Sequence, residues 1–95
     1  MNKYEAMVLV RPSLSEGERN SLFGVINDTI TKYGGKILQA NVWLEKKRLT
    51  FRIKKSDEAT YYLVSFNLDP KQVKEIREAY RINENILRVL ISVLD

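Results

Sequence analysis

The spacing of apolar residues switches between two periods along the chain, and each switch marks an element. Residues 3–11, KYEAMVLVR, carry a short, nearly continuous apolar run, which predicts a strand covered on both faces and therefore central in its sheet. Pro12 ends it by removing a backbone donor. Past Ser15 the period lengthens: Leu22, Ile26, Ile30 and Tyr33 recur at helical spacing, with Val25 and Thr29 widening the stripe. Ser15 followed by Glu18 is a capping-box pattern, and Gly34-Gly35 supplies a left-handed stop.

From Lys36 the period returns to two. Leu38, Ala40, Val42 and Leu44 share one side, and Gln39, Asn41 and Trp43 share the other. Then the parity flips, because Leu49, Phe51 and Ile53 are odd-numbered. One inserted residue, a β-bulge near Glu45–Lys47, would return the apolar side to the core. A tight hairpin at that point would call for glycine or asparagine, where the chain has lysines; one long, bulged strand is therefore expected.

Residues 55–59, KSDEA, read as a polar turn and TYYLVSFNL at 60–68 as a strand. Asp69-Pro70 opens a second helix, with Asp as N-cap, Pro at the first helical position and Gln72 placed for a capping box. Val73, Ile76 and Tyr80 form its apolar stripe, with Lys71, Lys74 and Arg77 outside, and ILRVLISVL at 86–94 is strand-like.

Strand, helix, strand, strand, helix, strand is the order of the ferredoxin-like split βαβ fold, class α+β. It predicts one domain over residues 1–95: a four-stranded antiparallel sheet, first and third strands central, with both helices on one face. The other face is left open.

Charge sharpens this picture. The chain has 16 Lys+Arg against 12 Asp+Glu, a net +4. LEKKRLTFRIKK at 44–55 holds six of those cations and a single acid, Glu45, so this one strand contributes +5 and all the rest −1. If Leu49, Phe51 and Ile53 face the helices, then Arg48, Thr50, Arg52 and Lys54 face the open side. At two-residue intervals they stand about 6–7 Å apart, similar to the phosphates of a nucleic-acid strand. Lys46 and Lys47 lie at the bulge, Lys3 and Tyr4 open the neighbouring strand, and Arg88 sits on the last strand. An edge strand guarded against sheet-to-sheet pairing also carries lysines, but mixed charges would guard it as well, so the density favours an anionic partner. Trp43, by parity, points away from Val42 and Leu44; it either offers a contact to a protein partner or tucks under a loop.

Composition removes most chemistry. With no cysteine and no histidine, a disulfide framework, a thiol nucleophile, an imidazole base and an ordinary zinc site are all excluded. No glycine-rich phosphate loop is present, since Gly34-Gly35 ends a helix rather than opening one. Acyl-phosphate hydrolases share the architecture but need an arginine-bearing glycine loop after the first strand; Arg11-Pro12-Ser13-Leu14-Ser15 does not match. A non-enzyme without cofactor or metal is expected. TYYLVSF lacks the glycine and basic lead of an RNA-recognition motif's stacking strand, so backbone and shape recognition fits better than base stacking. No secretory signal is visible and no run approaches membrane-spanning length, which leads to the expectation of a cytoplasmic protein.

KYEAMVLVRP, YGGKI, KKRLTFRIKK and RINENILRVL, in this order and spacing, resemble the bacterial small-subunit ribosomal protein six family over essentially the whole chain. In the basic strand the family reads roughly Gly-x-basic-basic-Leu-Ala-Tyr-x-Ile, and this chain departs with Glu45, Thr50 and Phe51. The resemblance implies a structural, non-catalytic role on the ribosome, binding the central domain of small-subunit rRNA together with small-subunit protein eighteen. Carried over by position, it implies RNA contacts at Lys3, Tyr4, Lys46, Lys47, Arg48 and Arg88; Arg52 and Lys54 join them from strand parity. Family members often continue into a tail that helps hold the protein partner. From a different class, a split βαβ interaction or regulatory module dimerising through its sheet is the competing reading.

Overall fold

The computed structural model describes residues 1–94. Its elements are β1 (Asn2–Val10), α1 (Glu16–Lys32), β2 (Lys36–Ile53), β3 (Ser56–Leu68), a short 3-10 turn (Pro70–Gln72), α2 (Val73–Arg81) and β4 (Ile86–Leu94). They form one antiparallel sheet in the order β2-β3-β1-β4, so β1 and β3 are central.

Local chemistry sets the helix boundaries. Ser15 Oγ accepts from the Glu18 amide, and the Glu18 carboxylate accepts from the Ser15 amide at 3.0 Å. Those bonds hold the Glu18 carboxyl below its ordinary pKa. At the other end Gly34 takes φ 86°. Gly35 lies so close to Ile30 that an added Cβ would sit 2.6 Å from its Cγ2. Asp69 caps the second helical stretch by accepting from the Lys71 amide at 3.0 Å. That first turn is 3-10, however, and Gln72 makes no side-chain cap. The expected second capping box is absent because Pro70 and the tight turn displace the α-helical start to Val73.

The main core lies between the sheet and the helices. Tyr4, Ala6, Val8 and Val10 of β1 and Tyr62, Val64, Phe66 and Leu68 of β3 meet Leu22, Ile26 and Ile30 of α1 and Ile76 and Tyr80 of α2. Val25 is instead exposed. Phe23 flanks the stripe in its place, stacked on Tyr62 with ring centroids 4.0 Å apart.

β2 departs from simple alternation more than once. Its pairing with β3 slips between Ile37 and Gln39, between Val42 and Leu44, between Leu44 and Lys47, and again between Arg48 and Ile53. A one-residue slip turns the following side chains over. Ile37 therefore takes the core side beside Ala40 and Val42, while Leu38 faces outward. The slip between Leu44 and Lys47 is the bulge expected near Glu45–Lys47; Lys46 adopts φ 47°, and its amide donates to the buried Thr60 hydroxyl at 3.3 Å. The turn into β3 is Lys54-Lys55, both with positive φ (48° and 67°), closing Ile53 onto Ser56. Positive φ at both central positions is the two-residue turn whose twist matches a hairpin. The expected turn at 55–59 thus shortens to two lysines, and Asp57 and Glu58 belong to β3.

Candidate nucleic-acid interface

The slips in β2 decide what each side of the basic strand does. Leu49 and Ile53 pack on the sheet face away from the helices, in a second small core with Leu9, Ala59 and Leu87, bordered by Met7 and Tyr61. The end of the hairpin thus curls over the open face. This reverses the expectation that Leu49, Phe51 and Ile53 face the helices. Phe51 belongs to neither core: it is 79% exposed and lines the groove over the second one with Leu9, Leu49 and Ile53. The alternation signalled a half-buried strand correctly, but the accumulated slips exchanged its two sides.

β3 brings acids that the basic strand alone does not contain. Across residues 44–58, six cations face three acids, Glu45, Asp57 and Glu58, for a net +3. Arg52 Nε lies 3.1 Å from Asp57 Oδ1 and also donates from its other end to the Lys55 carbonyl. Arg48 pairs in register with Glu58. Glu45 is held by Arg19 of α1 at 2.6 Å, which ties the bulge to the helix layer. Lys46, Lys47 and Arg48 are exposed and have no ion pair among the described residues. Lys54 is committed elsewhere: its Nζ donates 2.9 Å to the Ile86 carbonyl, joining the hairpin turn to β4.

The other expected residues separate. Lys3 and Arg88 both sit on the open face, since Lys3 shares parity with Leu9 and Leu9 pairs with Arg88. They lie at opposite ends of the sheet, about 20 Å apart along the strands at ~3.3 Å per residue. Tyr4 is not on that face. It is 4% exposed, packed under the helices against Phe66 at 5.8 Å, because its parity is opposite to that of Lys3; the expectation of a Tyr4 contact is corrected to a core role. Trp43 is 54% exposed and meets Tyr61 edge-on at 6.1 Å, so it is not tucked under a loop.

Sequence reasoning overlooked the α2 cations. The sequence pattern sets Arg77 outside the apolar stripe and does not single out Arg81, yet both line a cleft of about 250 Å³ with Lys54 and Arg88. Arg81 also holds Glu78 at 2.7 Å. That hydrogen bond and charge lower the Glu78 carboxyl and raise the Arg81 guanidinium from their ordinary values. The i,i+4 spacing of Arg77 and Arg81 was the one available signal, and only the tertiary fold adds their partners.

No group of three or more carboxylates suited to a metal occurs among the described residues, and no helix is long and apolar enough to cross a membrane. Fold and site together define a split βαβ protein that presents cations on an arm and on one sheet end. The family model for Ribosomal protein S6 matches residues 3–92. The chain is 37% identical over 95 residues to small ribosomal subunit protein bS6 of Thermoanaerobacter pseudethanolicus, covering 100% of this chain and 99% of that one. To its counterpart from Heliobacterium modesticaldum it is 33% identical over 91 residues, covering 96% and 94%. The crystal structure of 30S ribosomal protein S6 from Thermotoga maritima superposes with TM-score 0.88 at 25% identity, covering 98% of this chain and 87% of that one. The chain belongs to the ribosomal protein S6 family and is a structural, non-enzymatic component of the small ribosomal subunit.

Proposed function

We propose that the protein binds the central domain of small-subunit rRNA together with small-subunit ribosomal protein eighteen. The observation that carries this reading is the trio Lys46, Lys47 and Arg48, exposed at a bulge and without ion-pair partners among the described residues. A bulge splays neighbouring side chains outward, and unpaired cations are the groups that release counterions from a nucleic acid. Lys3 and Arg88 extend the positive charge to both ends of the open face. Arg52, held by Asp57, contributes charge, while Lys54 spends one of its ammonium protons on the Ile86 carbonyl. The half-exposed Trp43 and Leu90 and the exposed Phe51 offer apolar area of the kind a protein partner covers.

Exchanging Lys46, Lys47 and Arg48 for glutamate tests the site. The variant is expected to lose association with a central-domain rRNA transcript, measured with protein eighteen present, while its circular dichroism stays native. For the wild type, log affinity should fall with log salt by about 0.7–0.9 per phosphate contact. Unchanged binding by the triple variant would overturn the site, and a salt-insensitive complex would overturn the phosphate reading.

A further inference from the structure

We propose that the cleft between the hairpin turn, the end of α2 and the start of β4 holds a backbone phosphate of the bound RNA, ligated by Arg77 and Arg81 together with Lys54 and Arg88. This deepens the RNA-binding reading and rests on it. The cleft, about 250 Å³, takes cations from three elements and has no acidic side chain in its lining; its floor is the apolar segment Ile86 to Val89. Four cationic residues border this one cleft, whose lining is mainly apolar; an anion seated among them would offset their mutual repulsion, which a low local dielectric strengthens. Among the described residues Glu78 is the one acid paired with this group; it lies outside the lining and bonds to Arg81.

The chemistry of the donors specifies the anion. A guanidinium presents a planar fork that takes two phosphate oxygens at once, and three of the four cations are arginines. Lys54 is held at the rim by its bond to the Ile86 carbonyl and keeps further ammonium protons to donate. A polyanion is favoured over an isolated ion because the cations continue past the cleft. Lys54 also borders an adjoining depression where it, Arg11 and Lys55 outnumber one acid, Glu84, and Arg88 borders the apolar groove of the open face. A strand of nucleic acid running from the hairpin across the end of the sheet meets these groups in succession.

The test compares wild type with Arg77→Gln/Arg81→Gln and, as a control on the same helix but outside the cleft, Lys74→Gln. Each binds the central-domain transcript over a salt series, with protein eighteen present. The double variant is expected to melt like wild type, to bind at least tenfold more weakly at low salt, and to lose about one unit of salt slope per phosphate released; Lys74→Gln should match wild type. In NMR spectra the amides of Ile86 to Val89 should shift on adding RNA to wild type and stay put in the double variant. An unchanged slope in the double variant, with wild type binding normally, would overturn the cleft and leave the RNA reading standing. Shifts produced by inorganic phosphate at constant ionic strength but not by RNA would assign the cleft to a free anion and overturn the backbone contact. Failure of the wild type to bind the transcript would overturn both readings.

Discussion

Replacing Lys55 with glycine is expected to stabilise the protein, although it deletes a cation from the basic hairpin. Lys55 sits at φ 67° in the two-residue turn, where a Cβ crowds the neighbouring carbonyl at a cost of about 1–2 kcal/mol. Glycine removes that crowding but loses about 0.5–1 kcal/mol through the greater freedom of its unfolded chain. At the middle of those ranges the net is roughly 0.75 kcal/mol in favour of the variant, or a Tm rise of about 3–6 °C for a domain of this size. Lys54→Gly supplies the internal control. It relieves the same strain at φ 48° but severs the 2.9 Å bond from Nζ to the Ile86 carbonyl, a loss of about 1 kcal/mol or more. Its net effect is therefore zero or destabilising. Urea unfolding followed by the fluorescence of the single tryptophan, Trp43, reads both variants against wild type. If Lys55→Gly unfolds at lower urea than wild type, or the two variants move together at constant slope, the turn is not where strain is stored.

Gly24 lies inside α1 with open space around an added Cβ, so Gly24→Ala should raise stability by about 0.5–1 kcal/mol. Gly35→Ala should lower it, because its Cβ would meet Ile30 Cγ2 at 2.6 Å and the Ile30 carbonyl at 2.9 Å; equal melting temperatures for the two would contradict this. Tyr80 donates 2.6 Å to the Ile26 carbonyl, and burial, with a smaller effect from Tyr62, pushes its phenol above the ordinary value. The folded state thus holds this proton more tightly than the unfolded chain. Its stabilising contribution is complete below the ordinary tyrosine pKa of about 10 and fades as pH rises beyond that. Tyr80→Phe should cost about 1 kcal/mol at neutral pH and flatten the alkaline loss of stability; an unaltered alkaline profile would refute the assignment.

What could be read from the sequence was what short-range chemistry determines. Ser15 with Glu18, Gly34 and the stripe Leu22-Ile26-Ile30 specify α1 through contacts within a few residues, and α1 forms as they indicate. The order of elements then leaves the split βαβ sheet. Sidedness in β2 was beyond reach because it depends on how many residues slip against β3. One bulge was legible in the parity change, but slips around Leu38 and Trp43 leave no comparable mark. Their sum moved Leu49 and Ile53 onto the open face. Tyr4 illustrates a second limit: its place beside Lys3 in sequence implied a shared contact, whereas adjacent strand residues point to opposite faces. Arg52 and Lys54 illustrate a third, since the partners that engage them, Asp57 and the Ile86 carbonyl, are chosen by the folded hairpin.

The central position of β1 has a consequence for how the protein is made. β1 leaves the ribosome before its two neighbours, since Tyr4 pairs with Phe66 and Lys3 with Leu94. β2 and β3 need only their own turn, which brings Ile53 onto Ser56, and can zip together as they emerge. Until β3 and β4 arrive, the most apolar strand of the nascent chain has both hydrogen-bonding edges bare, the condition in which strands pair with the wrong neighbour. Pairings so distant in sequence also close slowly. Newborn molecules of this protein are therefore most open to mispairing late in synthesis, and the speed with which the hairpin offers β1 an edge limits that exposure.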